Sequence, residues 1–407
     1  MYIKGTTFLC LGIISLHLNA TVIYNDGGAH TINSFIYDNV VLENHSDLNI
    51  EHGGFIISPG SDYAVYAATS GAGVNGSSVN MSGDATVIGG VRMNGSDSDA
   101  SSVVTRDDST IQGLGAHPNG VGRAAVSGAH YVEINDNSHI VGATSGATGG
   151  AAIKNGDSGH YHVTVNGGEV VGGHGGNTGG YGISADFDPI ALEITGGVIR
   201  GGDGDLNGGT GVVNTNYGTI TMTDGAIYGG DGGISGGTAF YSFADMEMDI
   251  YGGLIQGGNG GAYGGSAIRT TTTSGEPAHI QIFDGQFDAG IGSIVDGWIF
   301  DVVGSGSNMS LYGGQIGYTA AGAGINIDIN GLVDVYGWDL RVDGDLLTGY
   351  LLDGSWIETA VSVAGITLPG RGLRLFNHEN VNVPEPSVLQ LMLFGLAGLG
   401  FRRFKMV

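Results

Sequence analysis

Three carboxylates alternate with apolar residues in Asp245-Met246-Glu247-Met248-Asp249-Ile250. On an extended strand they share one face, with neighbours about 6.8 Å apart. Such a spacing suits the acid and base of an inverting glycosidase. It also suits the oxygen ligands of a calcium site, so Asp245, Glu247 and Asp249 form a weak calcium candidate. The positions aligned one repeat away are Tyr217, Thr219 and Thr221 on one side and Pro277, His279 and Gln281 on the other. Neither side supplies a second acidic cluster or a Lys or Arg base. A solvated acidic strand is therefore the plainer reading.

Other candidates meet similar objections. His160 and His162 alternate as metal ligands would, but no third ligand stands at a telling spacing. Gly201-Gly202-Asp203-Gly204-Asp205 and Gly229-Gly230-Asp231-Gly232-Gly233 resemble a calcium-binding nonapeptide without its Asp at the sixth position. Turn chemistry explains them better, as it does Asp186 and Asp188 before Pro189. No metal is assigned, and catalytic residues are expected to be absent. Tyr251, Phe283, Tyr312 and Tyr336 recur once per repeat at the same outward position. A row of aromatics suits sugar-ring stacking, so they form a candidate glycan-stacking ladder. The alternative is mutual cross-strand stacking, which aromatics on strands favour by themselves. Thr221 and Thr223 make a single Thr-x-Thr pair, flanked by Glu193/Thr195 and Asp249/Tyr251. An ice-binding array needs many such pairs, so that activity is rejected.

These side chains are held by one repeated unit. Val163-Thr-Val-Asn-Gly-Gly-Glu-Val170 is followed by Gly172-Gly173, and Leu192-Glu-Ile-Thr-Gly-Gly-Val-Ile199 by Gly201-Gly202. Equivalent units start at Ile220, Met248, Ile280 and Met309, with weaker copies at Leu48, Val79, Val103, Val132 and Val333. From 48 to 333 the ten steps average about 28.5 residues. Each unit opens apolar-polar-apolar, the period of a half-buried strand. A Gly-Gly or Asp-Gly corner comes next, then a short second strand, a glycine-rich corner and a third short strand. In the units at Val79, Val103 and Val132 the second strand's apolar residue falls one place later, which predicts a longer corner there.

Units this short cannot bury a core alone and must stack. The predicted fold is all-β: a single-stranded parallel β-helix, or solenoid, of about eleven turns spanning 48–338. Residues 21–47 are expected to cap its start. Residues 339–380 break the period and are read as a cap of antiparallel strands over Leu346–Leu352, Trp356–Val363 and Gly372–Phe376. A β-propeller is excluded because its blades need more residues than one unit supplies.

The chain has 407 residues and a net charge of −26, with 81 Gly and 1 Cys. So acidic a body repels nucleic acid and anionic membrane, and no nucleic-acid partner is expected. Residues 1–20 run from Lys4 through an apolar stretch to Asn19-Ala20, the order of a secretory signal peptide. Cys10 falls within it, so the mature chain carries neither disulfide nor thiol.

Residues 381–407 form a linker and tail. Val383-Pro384-Glu385-Pro386 precedes an apolar run at 388–401 containing Gly395, Gly398 and Gly400, then Arg402, Arg403 and Lys405. The run is short for a membrane span. It is read as a short apolar helix that touches the membrane before processing, with the basic end held in the cytoplasm. Together with the signal peptide, this tail resembles the PEP-CTERM sorting signal of Gram-negative bacteria. That resemblance implies that an exosortase reads Pro384, Glu385 and Pro386 and removes the region beyond them, while signal peptidase acts at the other end of the chain. The body is similar to the glycine-rich β-helical passengers of autotransporter adhesins, without their β-barrel translocator. The expected function is non-enzymatic. It is that of a structural or adhesive rod at the cell surface or in the extracellular biofilm matrix, with extracellular polysaccharide as a partner and no required cofactor. The alternative is a polysaccharide lyase or hydrolase on the same β-helix, marked by a groove of carboxylates and bases from adjacent turns.

Overall fold

The structure, a computed structural model, describes residues 21–58, 63–67, 76–94, 100–155, 160–186, 189–243, 245–272, 277–317 and 324–378. The signal peptide and the whole tail, including the expected apolar helix, lie outside them. Every regular element among the described residues is a strand, and nearly all pair in parallel with their equivalents one turn along. The body is a parallel β-solenoid.

Three ladders run along it. The repeat starts read from the sequence fall on one register line: Leu48, Val79, Val103, Val132, Val163, Leu192, Ile220, Met248, Ile280, Met309 and Val333. These residues are buried, as period-two alternation requires. The second-strand residues align likewise from Ile56 through Val87, Ile111, Ile140, Val170, Ile199, Ile227 and Ile255 to Phe287 and Ile316. A third line carries Val65, Val91, Val126, Ile153, Ile183, Val212, Phe240, Ile268, Phe300 and Ile325. The three lines meet in one continuous core.

The extent and the turn count differ from the sequence reading. From Ile56 to Ile316, and from Val65 to Ile325, the second and third lines take nine steps, so about nine turns, not eleven, make up the regular solenoid. The register line also continues past both of its expected ends. Before Leu48, Val22–Tyr24 stacks on Val40–Leu42 and Ala29–Ile32 on Asp47–Ile50, so part of the assigned N-terminal cap is already coiled. At the far end, Leu346–Leu351 pairs antiparallel with both flanking strands, as expected. Trp356–Val363, however, also lies parallel to Ile325–Asp328, and Gly372–Asn377 lies parallel to Leu332–Asp343. The chain makes its hairpin and then rejoins the stack, because the coil's last edge still offers unpaired backbone groups.

Corners obey the predicted chemistry. In the early turns the left-handed residue is Gly83, Asp107 or Asp136, with one extra residue before the next strand. In later turns it is Gly168, Gly197, Gly225, Gly253 and Gly285.

The glycine-rich segment is built differently from a plain corner. After the second strand the chain leaves the coil in a loop and returns, and a pair of glycines pinches the loop's neck. Gly180 N–H donates to Gly173 O (2.8 Å), Gly202 N–H to Gly180 O (2.8 Å) and Gly209 N–H to Gly202 O (2.7 Å). The same alternation runs on through Gly230, Gly237, Gly258, Gly265 and Gly290 to Gly297. The loops outside the necks stack into a fin, with Ser145, Gly175, Gly204, Gly232, Gly260 and Gly292 bridged in series. A Cβ on Gly208 would lie 1.8 Å from Gly230 O, whereas one on Gly146 would meet nothing within 4 Å.

Gly208→Ala should therefore force the neck open and cost roughly 2–3 kcal/mol. Gly146→Ala should change stability by no more than about 0.5 kcal/mol. Urea midpoints of the two variants test this, and equal midpoints would show that the necks tolerate a side chain.

Candidate functional site

Strand pairing decides which outward side chains become neighbours. Asp245, Glu247 and Asp249 do share one outward face of the strand containing Met246–Ile250. Glu247 stands between Thr219 and His279, and Asp249 between Thr221 and Gln281. The Asp249 carboxylate accepts a hydrogen bond from Gln281 Nε2 at 3.2 Å. Desolvation, and then the Glu247 charge, raise the Asp249 pKa above 3.8, against a smaller lowering by Gln281. A strand holds alternate side chains parallel rather than convergent. Among the described residues no group of three or more His, Cys, Asp or Glu side chains is placed to hold a metal ion.

A groove of about 680 Å³ runs along this face over several turns. Ala191 and Thr219 give it a low floor. His162 stands at one end and Asn308 at the other, with Glu247 and His279 between them and Tyr217 and Asp245 along one side. His162 is itself stacked on Tyr131, with centroids 5.1 Å apart. His160 and His162 thus belong to the same groove as the acidic strand. The sequence reading assigns no role to Tyr217, half exposed, or to His279, the imidazole beside Glu247. Aligning the repeats had already placed both beside the acidic strand.

The aromatic row is present and longer than expected. Tyr251 stacks on Phe283 (4.9 Å, 5°), Phe283 on Tyr312 (5.1 Å, 8°) and Tyr312 on Tyr336 (4.6 Å, 20°). Phe376 adds a fifth ring on Tyr336 (4.6 Å, 9°). Rings this parallel turn their faces to one another. A sugar stacks on a free ring face, and the ladder leaves those mainly at its ends, where Tyr251 is 48% exposed. At the other end Arg374 grips Asp334 through two hydrogen bonds (2.6 and 2.5 Å) and lies 5.6 Å from the Phe376 ring.

The Gly-Asp segments run from the necks into the fin rather than forming plain corners. Asp203 Oδ1 accepts the Asp231 N–H (2.8 Å), and Asp231 Oδ1 accepts the Asn259 N–H (2.7 Å). Arg200 spans both carboxylates at 2.9 and 3.3 Å. Asp186 pairs with Lys154 at 3.3 Å, and Asp188 lies outside the described residues. Thr221 sits between Glu193 and Asp249, as read from the sequence.

Pro384, Glu385, Pro386, Arg402, Arg403 and Lys405 also lie outside the described residues. Their assignment rests on comparison: residues 382–405 match the PEP-CTERM protein-sorting motif. The motif marks an exported protein sorted by way of the membrane and implies processing by an exosortase. No curated protein and no solved structure matches the chain.

Two outcomes check this geometry. Removing the middle ring by Tyr312→Ala breaks two stacked pairs and should cost about 1–3 kcal/mol, read as a urea midpoint shift. For Asp249 the raised pKa means that the folded state holds the proton to higher pH than the unfolded chain. Its contribution is thus greatest in acid and is lost as pH rises through the folded value. Asp249→Asn should gain stability relative to wild type as pH climbs from 3.8. A difference independent of pH would contradict that assignment.

Proposed function

We propose that the protein is a structural and adhesive rod of the cell surface or extracellular matrix in a Gram-negative bacterium. The observation that carries this reading is the joining of a PEP-CTERM sorting motif to a rigid β-solenoid. Signal peptidase removes residues 1–20. Exosortase reads Pro384, Glu385 and Pro386, while the apolar run at 388–401 pauses in the membrane and Arg402, Arg403 and Lys405 hold its cytoplasmic end. The released body then serves as a matrix component. Much of its outward chemistry is spent on itself: rings stack on rings, and Asp203 and Asp231 cap backbone amides. That economy favours a scaffold over a catalyst.

The groove favours a second reading, a polysaccharide-active enzyme. It sets Asp245, Glu247 and His279 from adjacent turns beside an exposed Tyr217. A carboxylate beside an imidazole can divide acid and base roles across a glycosidic bond. The scaffold reading is preferred because, among the described residues, no Lys or Arg lines that groove to stabilise a developing negative charge.

Deleting residues 382–405 should abolish surface and matrix delivery, with the body retained in the periplasm, when fractions are probed with antibody. Normal delivery of the truncated chain would defeat the sorting assignment. The purified exported protein should release no oligosaccharide from a panel of bacterial and plant polysaccharides. Release that disappears in Glu247→Gln would establish the enzymatic reading instead.

A further inference from the structure

Cations are scarce here, with 13 Lys and Arg against 39 Asp and Glu. Three of them nevertheless gather on neighbouring turns of one face. Arg92 and Lys154 occupy one outward row, Tyr66–Arg92–Ser127–Lys154–Ser184, of the third ladder. Arg123 reaches the same face from just before Val126. His117 senses all three: burial lowers its pKa first, and Arg123, Lys154 and Arg92 lower it further.

The partners of these cations are unusual. The Arg92 guanidinium lies 5.8 Å from the Tyr66 ring centre, and that of Arg123 lies 5.7 Å from the Tyr63 ring centre. Among the described residues, neither Arg92 nor Arg123 has a carboxylate partner. The Nε of Arg123 is buried with no hydrogen-bond acceptor. Lys154 alone is paired, with Asp186 at 3.3 Å.

Two clefts meet at Tyr63. One, of about 280 Å³, holds Tyr66, Arg92 and Arg123. The other, of about 420 Å³, holds His117, Lys154 and Tyr181. The second cleft's wall is glycine backbone, where a Cβ on Gly149 would lie 1.8 Å from Gly173 O. No side chain can fill that wall.

We propose that this basic, tyrosine-lined groove binds an acidic polysaccharide, a chain carrying uronate carboxylates. The proposal rests on the adhesive reading and names its partner class. Guanidinium groups meet carboxylates through paired hydrogen bonds, and their delocalised charge suits partly buried sites. Tyrosine rings offer apolar faces and a polar edge to sugar. The turns rise by ~4.8 Å, close to the length of one sugar residue, so a linear chain lying along the rod presents one residue per turn. The net charge of −26 disfavours a nucleic acid, whose charge density is higher.

The test titrates the purified exported protein with oligogalacturonate, neutral malto-oligosaccharide and single-stranded DNA by calorimetry. Oligogalacturonate should bind, weaken as NaCl rises, and lose at least tenfold in affinity in Arg92→Gln/Arg123→Gln. Arg92→Gln alone, at an exposed site, should lose severalfold with an unchanged melting temperature, which guards against misfolding of the double variant. No oligogalacturonate binding, equal binding by both variants, or tighter binding to DNA would overturn the proposal. If the protein still attaches to cells while failing to bind oligogalacturonate, this proposal falls and the adhesive reading stands. If it binds oligogalacturonate without attaching to cells, the adhesive reading falls.

Discussion

The structure depends on how closely successive turns are allowed to approach at the loop necks. A Cβ on Gly179 would sit 1.7 Å from Gly202 O, and one on Gly236 would sit 1.8 Å from Gly258 O. With glycine there, the neck amides alternate: Gly209 N–H closes its own neck onto Gly202 O, and Gly202 N–H reaches Gly180 O of the preceding turn. That contact fixes the height of each turn at the fin. The three strand ladders must then share the same height, and their side chains stack like on like. Register in a parallel coil is therefore set twice, by the apolar ladders inside and by the necks outside.

Much of this was legible in the residues. Val163, Leu192, Ile220, Met248, Ile280 and Met309 alternate with polar partners and repeat at near-constant spacing, so their common line could be drawn in advance. Corner positions were legible too, because a left-handed residue selects Gly, or Asp in the early turns. The terminal strands were not. Gly372–Asn377 lacks the repeat's spacing, and the hairpin before it suggested another antiparallel strand. Only the free edge of Leu332–Asp343 explains its parallel return, and with it the fifth ring at Phe376.

Surface features show the same divide. Glu247 beside His279 could be read by aligning repeats, because both lie in regular turns. The cations could not. The turn from Val91 to Val126 is longer than its neighbours, which hides the alignment of Arg92 with Lys154. Arg123 sits outside any strand, so no periodicity marks it. The ring ladder shows the opposite case. Its positions were legible, but not the parallel faces that limit what can stack on them.

The direction of the ladders has a mechanical meaning. Bonds between turns point along the rod, and the described chain enters at one end of the stack and leaves at the other. Tension between the ends would load one terminal turn at a time, as in a zipper, rather than shear the whole coil. Each turn that detaches yields roughly 90 Å of chain, from about 28 residues at up to ~3.3 Å each, in place of a ~4.8 Å rise. Such a rod lengthens in steps under load and dissipates work at each one. Because no cysteine lies beyond Cys10, no disulfide within the coil would limit that extension.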